Sequence, residues 1–188
     1  IKEKLTKLNI IRFGTSGSLQ ADIPVDSFVA STHGLGLDNL LNFYSYQKTT
    51  DNKAMADAFI EQTKLDTSVT IPYAFSGSEM LLNKFGEGFH KGITVTCPGF
   101  FGPQGRVLRL GLSSPGLVEK LTHFNFNNHR ITNFEMETSA IYGLGKLMGH
   151  ECLSINVIIA NRVIKEFSKD SEAAVENMIR KALEALTS

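Results

Sequence analysis

Hydrophobic positions fall into short runs and helical stripes that alternate along the chain. Residues 8–13 (LNIIRF) are an apolar run ended by Gly14-Thr15-Ser16-Gly17, which predicts a buried strand that breaks into a loop. A second strand is expected over 25–31, after Ile23-Pro24. Over 51–65, Ala54, Ala58, Phe59 and Leu65 recur at helical spacing, with Asp51 or Asn52 placed as a cap. A β-rich stretch at 68–75 leads into Ser76-Gly77-Ser78-Glu79, a capping box that predicts the start of a second helix. Residues 91–97 (KGITVTC) alternate and carry β-branched side chains, so a strand is expected to end at Pro98. The glycine-rich continuation over 99–106 reads as a shaped loop.

The last third has the strongest periodicity. Met136, Ala140, Ile141, Leu144, Leu147 and Met148 form one stripe of a helix that stops near Gly149. Residues 152–160 (CLSINVIIA) are almost continuously apolar, the pattern of a central parallel strand. An amphipathic helix over 169–186 presents Val175, Met178, Ile179, Ala182 and Leu186 on its apolar face. Strands alternating with helices predict an α/β fold. No repeat, linker or low-complexity tract divides the chain, so a single domain over 1–188 is expected.

Composition narrows the classes. The 188 residues are 42% hydrophobic and 20% charged, which excludes a disordered, collagen-like or coiled-coil chain. Lysine plus arginine (19) equals aspartate plus glutamate (19), so no global positive field exists to hold a polyanion, and nucleic acid is not expected as a partner. No window approaches the roughly 20 apolar residues of a membrane span, and no secretory apolar core follows Lys2, Lys4 and Lys7. These features predict a cytoplasmic protein without membrane contact. Cys97 and Cys152 are too few for a disulfide framework or a cysteine zinc site and read as small buried apolar residues. The five histidines show no HxxxH or HExxH spacing, so no metal is expected.

Three stretches carry candidate chemistry. In Arg12-Phe13-Gly14-Thr15-Ser16-Gly17-Ser18, backbone N–H groups of a glycine loop could form an anion nest beside three hydroxyls and a guanidinium fork. The alternative is a tight turn with a solvent-facing arginine. In Thr132-Asn133-Phe134-Glu135-Met136-Glu137, Thr132 and Glu135 fit a capping box, which leaves Glu137 either complementing a helix dipole or gripping a pair of sugar hydroxyls. On a helix, positions two apart lie roughly 200° round, so Glu135 and Glu137 are not expected to serve one face. In Phe100-Phe101-Gly102-Pro103-Gln104-Gly105-Arg106, an amide, a planar cation and an aromatic face suit a planar heterocycle with carbonyls and an N–H. A flexible loop with two half-buried aromatics is the alternative. Asn161-Arg162 adds a polar pair at the end of the 152–160 strand; an arginine there also fits a surface snorkeller.

Taken in order along the chain, RFGTSGS after a strand, PGFFGPQGR, NFEMETSAIY and the IIANR strand end resemble the nucleoside phosphorylase-I family, in particular its uridine-cleaving branch. The resemblance covers about residues 8–162. It implies a mixed central β-sheet flanked by α-helices in three layers, and a homo-oligomer built as a dimer or a trimer of dimers. The activity implied is phosphorolysis of uridine to uracil and ribose 1-phosphate, with inorganic phosphate as co-substrate and no cofactor. Arg12, Gly14 and Thr15 would bind phosphate, Met136 and Glu137 the ribose, and Phe100, Gln104 and Arg106 the base. Arg12, Arg106 and Arg162 would carry the catalytic charge. A purine phosphorylase or a nucleosidase is the nearest alternative; the aspartate that the purine branch typically places near Asn161 is missing, which favours a pyrimidine. Family members also carry a strand and a glycine- and arginine-bearing phosphate loop ahead of the first strand seen here. Their absence, with Ile1 opening the sequence, implies the carboxyl-terminal two-thirds of the family fold and leaves a non-catalytic nucleoside-binding subunit as a further alternative.

Overall fold

The computed structural model describes residues 5–187. In chain order the elements are β1 (Asn9–Ser18), β2 (Phe28–Gly36), α1 (Thr50–Thr63), β3 (Tyr73–Ser76), the single turn α2 (Glu79–Leu82), β4 (Phe89–Thr96), α3 (Leu117–His123), β5 (Asn125–Phe126), β6 (His129–Glu135), α4 (Thr138–Leu147), β7 (Glu151–Asn161), β8 (Glu166–Phe167) and α5 (Ser171–Thr187). The strands form a mixed sheet in the order β3-β2-β4-β6-β1-β7-β8, with β5 paired to β6. β1 runs parallel to β7, and β4 runs parallel to both β2 and β6. Helices flank the sheet, as the resemblance implies.

The sheet also curls back on itself. Phe28–Ala30 of β2 pair antiparallel with residues 155–157 of β7, which closes β2, β4, β6, β1 and β7 into a ring. Alternation along each strand then sorts side chains to two faces. Leu153, Ile155 and Val157 face α5, where they meet Met178 and Ala182. Leu35, Ile93, Val95 and Phe134 pack toward α1 and α3 through Met55, Phe59, Leu121 and Phe124. The alternate positions Ser16, Ser31, Thr94, Asn133, Ser154 and Asn156 are buried polar groups that hydrogen-bond to one another around the ring.

Several local expectations are corrected. The GTSG stretch is no loop: β1 continues through Ser18, with a bulge between Ser16 and Gly17 where it runs along β7. β2 begins at Phe28 and runs on to Gly36, and only the end of the 68–75 stretch is strand, in β3 (Tyr73–Ser76). Thr49, not Asp51 or Asn52, caps α1, and Ser78 rather than Ser76 caps α2. Thr132 lies in β6, with its hydroxyl on the Ile93 carbonyl and the Asn133 side chain, so it caps no helix.

The largest reversal concerns α4. Its buried face is Thr138, Ser139, Tyr142, Gly143 and Gly145, whereas Met136, Leu147 and Met148 of the expected stripe are exposed. Small residues win because the backbones approach closely. A Cβ on Gly34 of β2 would stand 2.8 Å from the Ser139 Cα and 3.0 Å from its nitrogen.

Candidate active site

Side chains from several parts of the chain converge on a cleft of about 290 Å³, among them Arg12 and Thr15 from β1, Phe100, Gln104 and Arg106 from the 99–106 loop, and Glu135, Met136 and Glu137 from the β6–α4 junction. Arg12 is its centre. Its side chain is 16% exposed, and it lies in the middle of β1 rather than at a strand end. Nη2 donates to Glu137 Oε2 at 2.5 Å and stands 3.3 Å from Glu135 Oε2. Nη1 donates to Asn156 Oδ1 at 2.8 Å and reaches Ser154 Oγ at 3.4 Å. Gly14 clears the way: a Cβ there would run into the Arg12 guanidinium. Successive N–H groups of an extended strand point to opposite sides, so the expected nest around Gly14 does not form. Making room for Arg12 is the visible role of this glycine. Thr15 is exposed at the cleft.

The two glutamates do share a partner, against the helical-spacing expectation. Neither lies inside α4, and the turn from β6 into the helix brings both to Arg12. Glu135 is 2% exposed in its side chain and fully engaged: Oε1 accepts from the Thr96 hydroxyl at 2.8 Å, and Oε2 accepts from the amides of Glu137 at 3.0 Å and Thr138 at 2.9 Å. It thus caps α4 from the end of the preceding strand. Burial pushes its pKa up, opposed by the Arg12 charge and these hydrogen bonds. Glu137 is 51% exposed.

At the other end, the turn Gly102–Gln104 closes on Gly105, whose φ of 72° lies in the left-handed region that glycine tolerates. Gln104 is buried, and its Oε1 accepts from Arg106 Nη1 at 2.7 Å. Arg106 also donates to the Phe100 carbonyl and stacks 3.7 Å from the Phe100 ring centre. Arg162 lies behind the cleft wall, with Nη1 3.4 Å from the Gln104 carbonyl and its guanidinium 5.3 Å from the Phe134 ring. Burial lowers the pKa of both arginines, and the charge of Arg162 lowers that of Arg106 further. Two crowded guanidinium groups favour an electron-rich group between them and the opposite wall. Asn161 is structural, binding the Gln20 and Ile23 carbonyls and the Val163 and Ile164 amides.

Sequence reasoning missed Asn156, Phe134 and Phe167, which lie at or beneath this cleft. For Asn156 a signal existed, since Ser154 and Asn156 alternate inside the otherwise apolar 152–160 run. A larger cavity of about 720 Å³ lies on the far side of the 99–106 loop, with Leu37, Leu65, Val69, Leu112 and Leu117 among its mostly apolar lining. The converging charges are in the smaller cleft.

The sequence signature of the phosphorylase superfamily matches residues 4–187. The chain belongs to that superfamily. It is 25% identical over 178 residues to the uridine phosphorylase of Thermococcus kodakarensis, covering 94% of this chain and 57% of that protein. Its fold superposes with a TM-score of 0.83 on a nucleoside phosphorylase of Trypanosoma brucei whose crystal structure is described as showing uridine phosphorylase activity, at 28% identity over 95% of this chain and 63% of that one. A structure from a study of two uridine phosphorylases in Phytophthora capsici gives a TM-score of 0.58 at 18% identity, over 98% of this chain and 67% of that one, and supports the fold alone. The chain therefore spans less than two thirds of the length of the first two relatives.

Proposed function

We propose that the cleft cleaves uridine by phosphorolysis. One observation carries this reading: Glu137 and Arg12 are paired at one end of a single cleft whose other end holds Gln104 and Arg106. A carboxylate half open to solvent suits a vicinal diol, a guanidinium beside it suits an anion, and a buried amide next to a second guanidinium suits a base with two carbonyls and an N–H. In this reading Glu137 accepts hydrogen bonds from the ribose 2′- and 3′-hydroxyls, with Met136 against the sugar. Arg12 and Thr15 hold phosphate, and Phe100, Gln104 and Arg106 hold uracil, with Arg162 supporting Gln104 from behind.

The chemistry follows from the charges. As the C1′–N1 bond breaks, positive charge grows on the sugar and negative charge on the departing base. Arg106 faces the base and stabilises that negative charge. A phosphate oxygen held by Arg12 forms the new bond to C1′ from the opposite face, and the bonding pair leaves with uracil, which takes up a proton. The sugar leaves as ribose 1-phosphate. Glu135 stays an internal strut, because its oxygens are already committed to Thr96 and the two amides.

The assay is uracil release from uridine, followed spectrophotometrically with and without inorganic phosphate. Release that depends on phosphate supports the reading. Release without phosphate would indicate a nucleosidase, faster turnover of inosine a purine phosphorylase, and binding of uridine with no turnover a non-catalytic nucleoside-binding chain. Each of these outcomes would overturn it.

A further inference from the structure

The interior of the strand ring is polar where an apolar filling would be simpler to satisfy, and its polar groups form one continuous cord that ends on Arg12. The Thr94 hydroxyl donates to Asn133 Oδ1 at 2.8 Å, so the Ser31 hydroxyl, 2.6 Å from Thr94 Oγ1, must donate to it. The proton of Ser31 is thereby committed, and its oxygen is left to accept from Asn156 Nδ2 at 3.4 Å. Asn156 Nδ2 also reaches Ser154 Oγ at 3.2 Å. At the other end of the amide, a guanidinium can only donate, so Oδ1 must face Arg12. The amide of Asn156 is therefore fixed in orientation from both sides, and it is fully buried.

We propose that Asn156 is a positioning residue that sets the reach of Arg12 into the cleft. This rests on the reading in which Arg12 meets phosphate. The two halves of the Arg12 fork have different company. Nη2 faces Glu137, a half-exposed group that a sugar can engage instead. Nη1 faces inward, and its 2.8 Å bond to Asn156 is the short one; the Ser154 contact is 3.4 Å. The inner half is thus an anchor, while the outer half, which also stands 3.3 Å from the buried Glu135, can exchange its bond to the half-exposed Glu137. Without the Asn156 oxygen, Nη1 becomes a buried donor lacking its main acceptor, and the guanidinium turns away from the ring to find one.

Asn156→Leu isolates this effect. It is close in volume, and it leaves Ser31 donating to Thr94 and Ser154 accepting from the Thr138 hydroxyl, so Arg12 is the group chiefly orphaned. The KM for phosphate is expected to rise about tenfold or more, while the KM for uridine stays within about twofold. In ¹⁵N NMR, the Arg12 Nη protons should be resolved and slowly averaged in the unsubstituted chain and averaged freely in the variant. Should Asn156→Leu fail to fold, Ser31→Ala removes the far anchor of the amide without touching Arg12, and should give the same split at smaller size. Equal rises in both KM values, or Arg12 Nη protons as freely averaged in the unsubstituted chain as in the variant, would overturn the proposal. A chain that releases no uracil sinks the functional reading instead, and the NMR comparison still decides the anchoring.

Discussion

Glu135 and Glu137 reach the same guanidinium from very different surroundings. Glu135 is shut in, its pKa raised by burial, and its oxygens hold the start of α4. Glu137 is half exposed and paired with Arg12. In the proposed reading, a diol entering the cleft competes with Arg12 for that carboxylate and, on winning, releases Nη2 toward an anion. Glu137→Gln is therefore expected to lower uridine turnover about 10–100-fold, through the loss of charge-assisted hydrogen bonds. Phosphate alone should bind unchanged or up to about fivefold tighter, because an exposed ion pair of at most about 1 kcal/mol no longer restrains Arg12. Calorimetry with phosphate and with uridine separately checks this; equal weakening of both would make Glu137 structural. The sequence singles out Glu137 because capping does not account for it. It also assigns Glu135 a cap, which the structure keeps through side-chain oxygens reaching forward to Glu137 and Thr138 instead of back to Thr132. Asn156 is harder to see, because a run of Val and Ile reads as hydrophobic whatever stands at alternate positions.

Among the elements, the legible ones are those whose burial follows hydrophobicity. β7 and α5 match their predicted extents closely, since Leu153, Ile155 and Val157 meet Met178 and Ala182 across one apolar seam. β1 does not, and α4 matches in extent but not in its buried face; glycine bears on both. In β1 the glycines look like turn formers, but Gly14 makes room for Arg12 and Gly17 for Phe134. In α4 the closest approach is made by small residues such as Ser139 and Gly143, so of the hydrophobic stripe Ile141 and Leu144 pack partly inward while Met136, Leu147 and Met148 stay exposed. Gly34→Ala tests that packing. Its new methyl would press on the Ser139 backbone, which cannot move without shifting the whole helix, and a cost of about 1–3 kcal/mol is expected. Gly86→Ala, with nothing within 4 Å, serves as the control and should leave the urea midpoint nearly unchanged. Because α4 starts at the Glu137 junction, Gly34→Ala should also weaken uridine binding.

Over the whole molecule, equal numbers of acidic and basic residues leave charge effects to local groups, and one of these couples stability to pH. The rings of His33 in β2 and His129 in β6 meet edge to face, 5.0 Å apart across β4. Burial, reinforced by His129, lowers the His33 pKa from 6.5 to about 4, while Asp51 opposes the shift. The folded state therefore binds this proton less readily than the unfolded one. Its contribution is present above about pH 6.5 and is lost as pH falls toward about 4. At 1.36 kcal/mol per unit, and allowing for partial exposure, the loss should be about 2 kcal/mol. Urea unfolding at pH 7.5 and 4.5 measures it; His33→Gln should fall less over that range, and an identical fall in both proteins would refute the assignment. Ring closure itself was not legible. Strand-like runs identify strands, but that β2 pairs with both β4 and β7 depends on contacts between segments far apart in sequence.

That distance has a consequence in time. Arg12 and Asn156 are separated by 144 positions, and a ring joined by such remote strands belongs among slow, non-local folders. At roughly 5–20 residues per second of synthesis, the guanidinium leaves the ribosome roughly 7–30 s before the amide that anchors it. Until β7 arrives, Glu135 and Glu137 can meet the outer half of the Arg12 fork, but its inner half lacks Ser154 and Asn156. The cleft is thus assembled late, from one side chain that has waited and one that has just emerged.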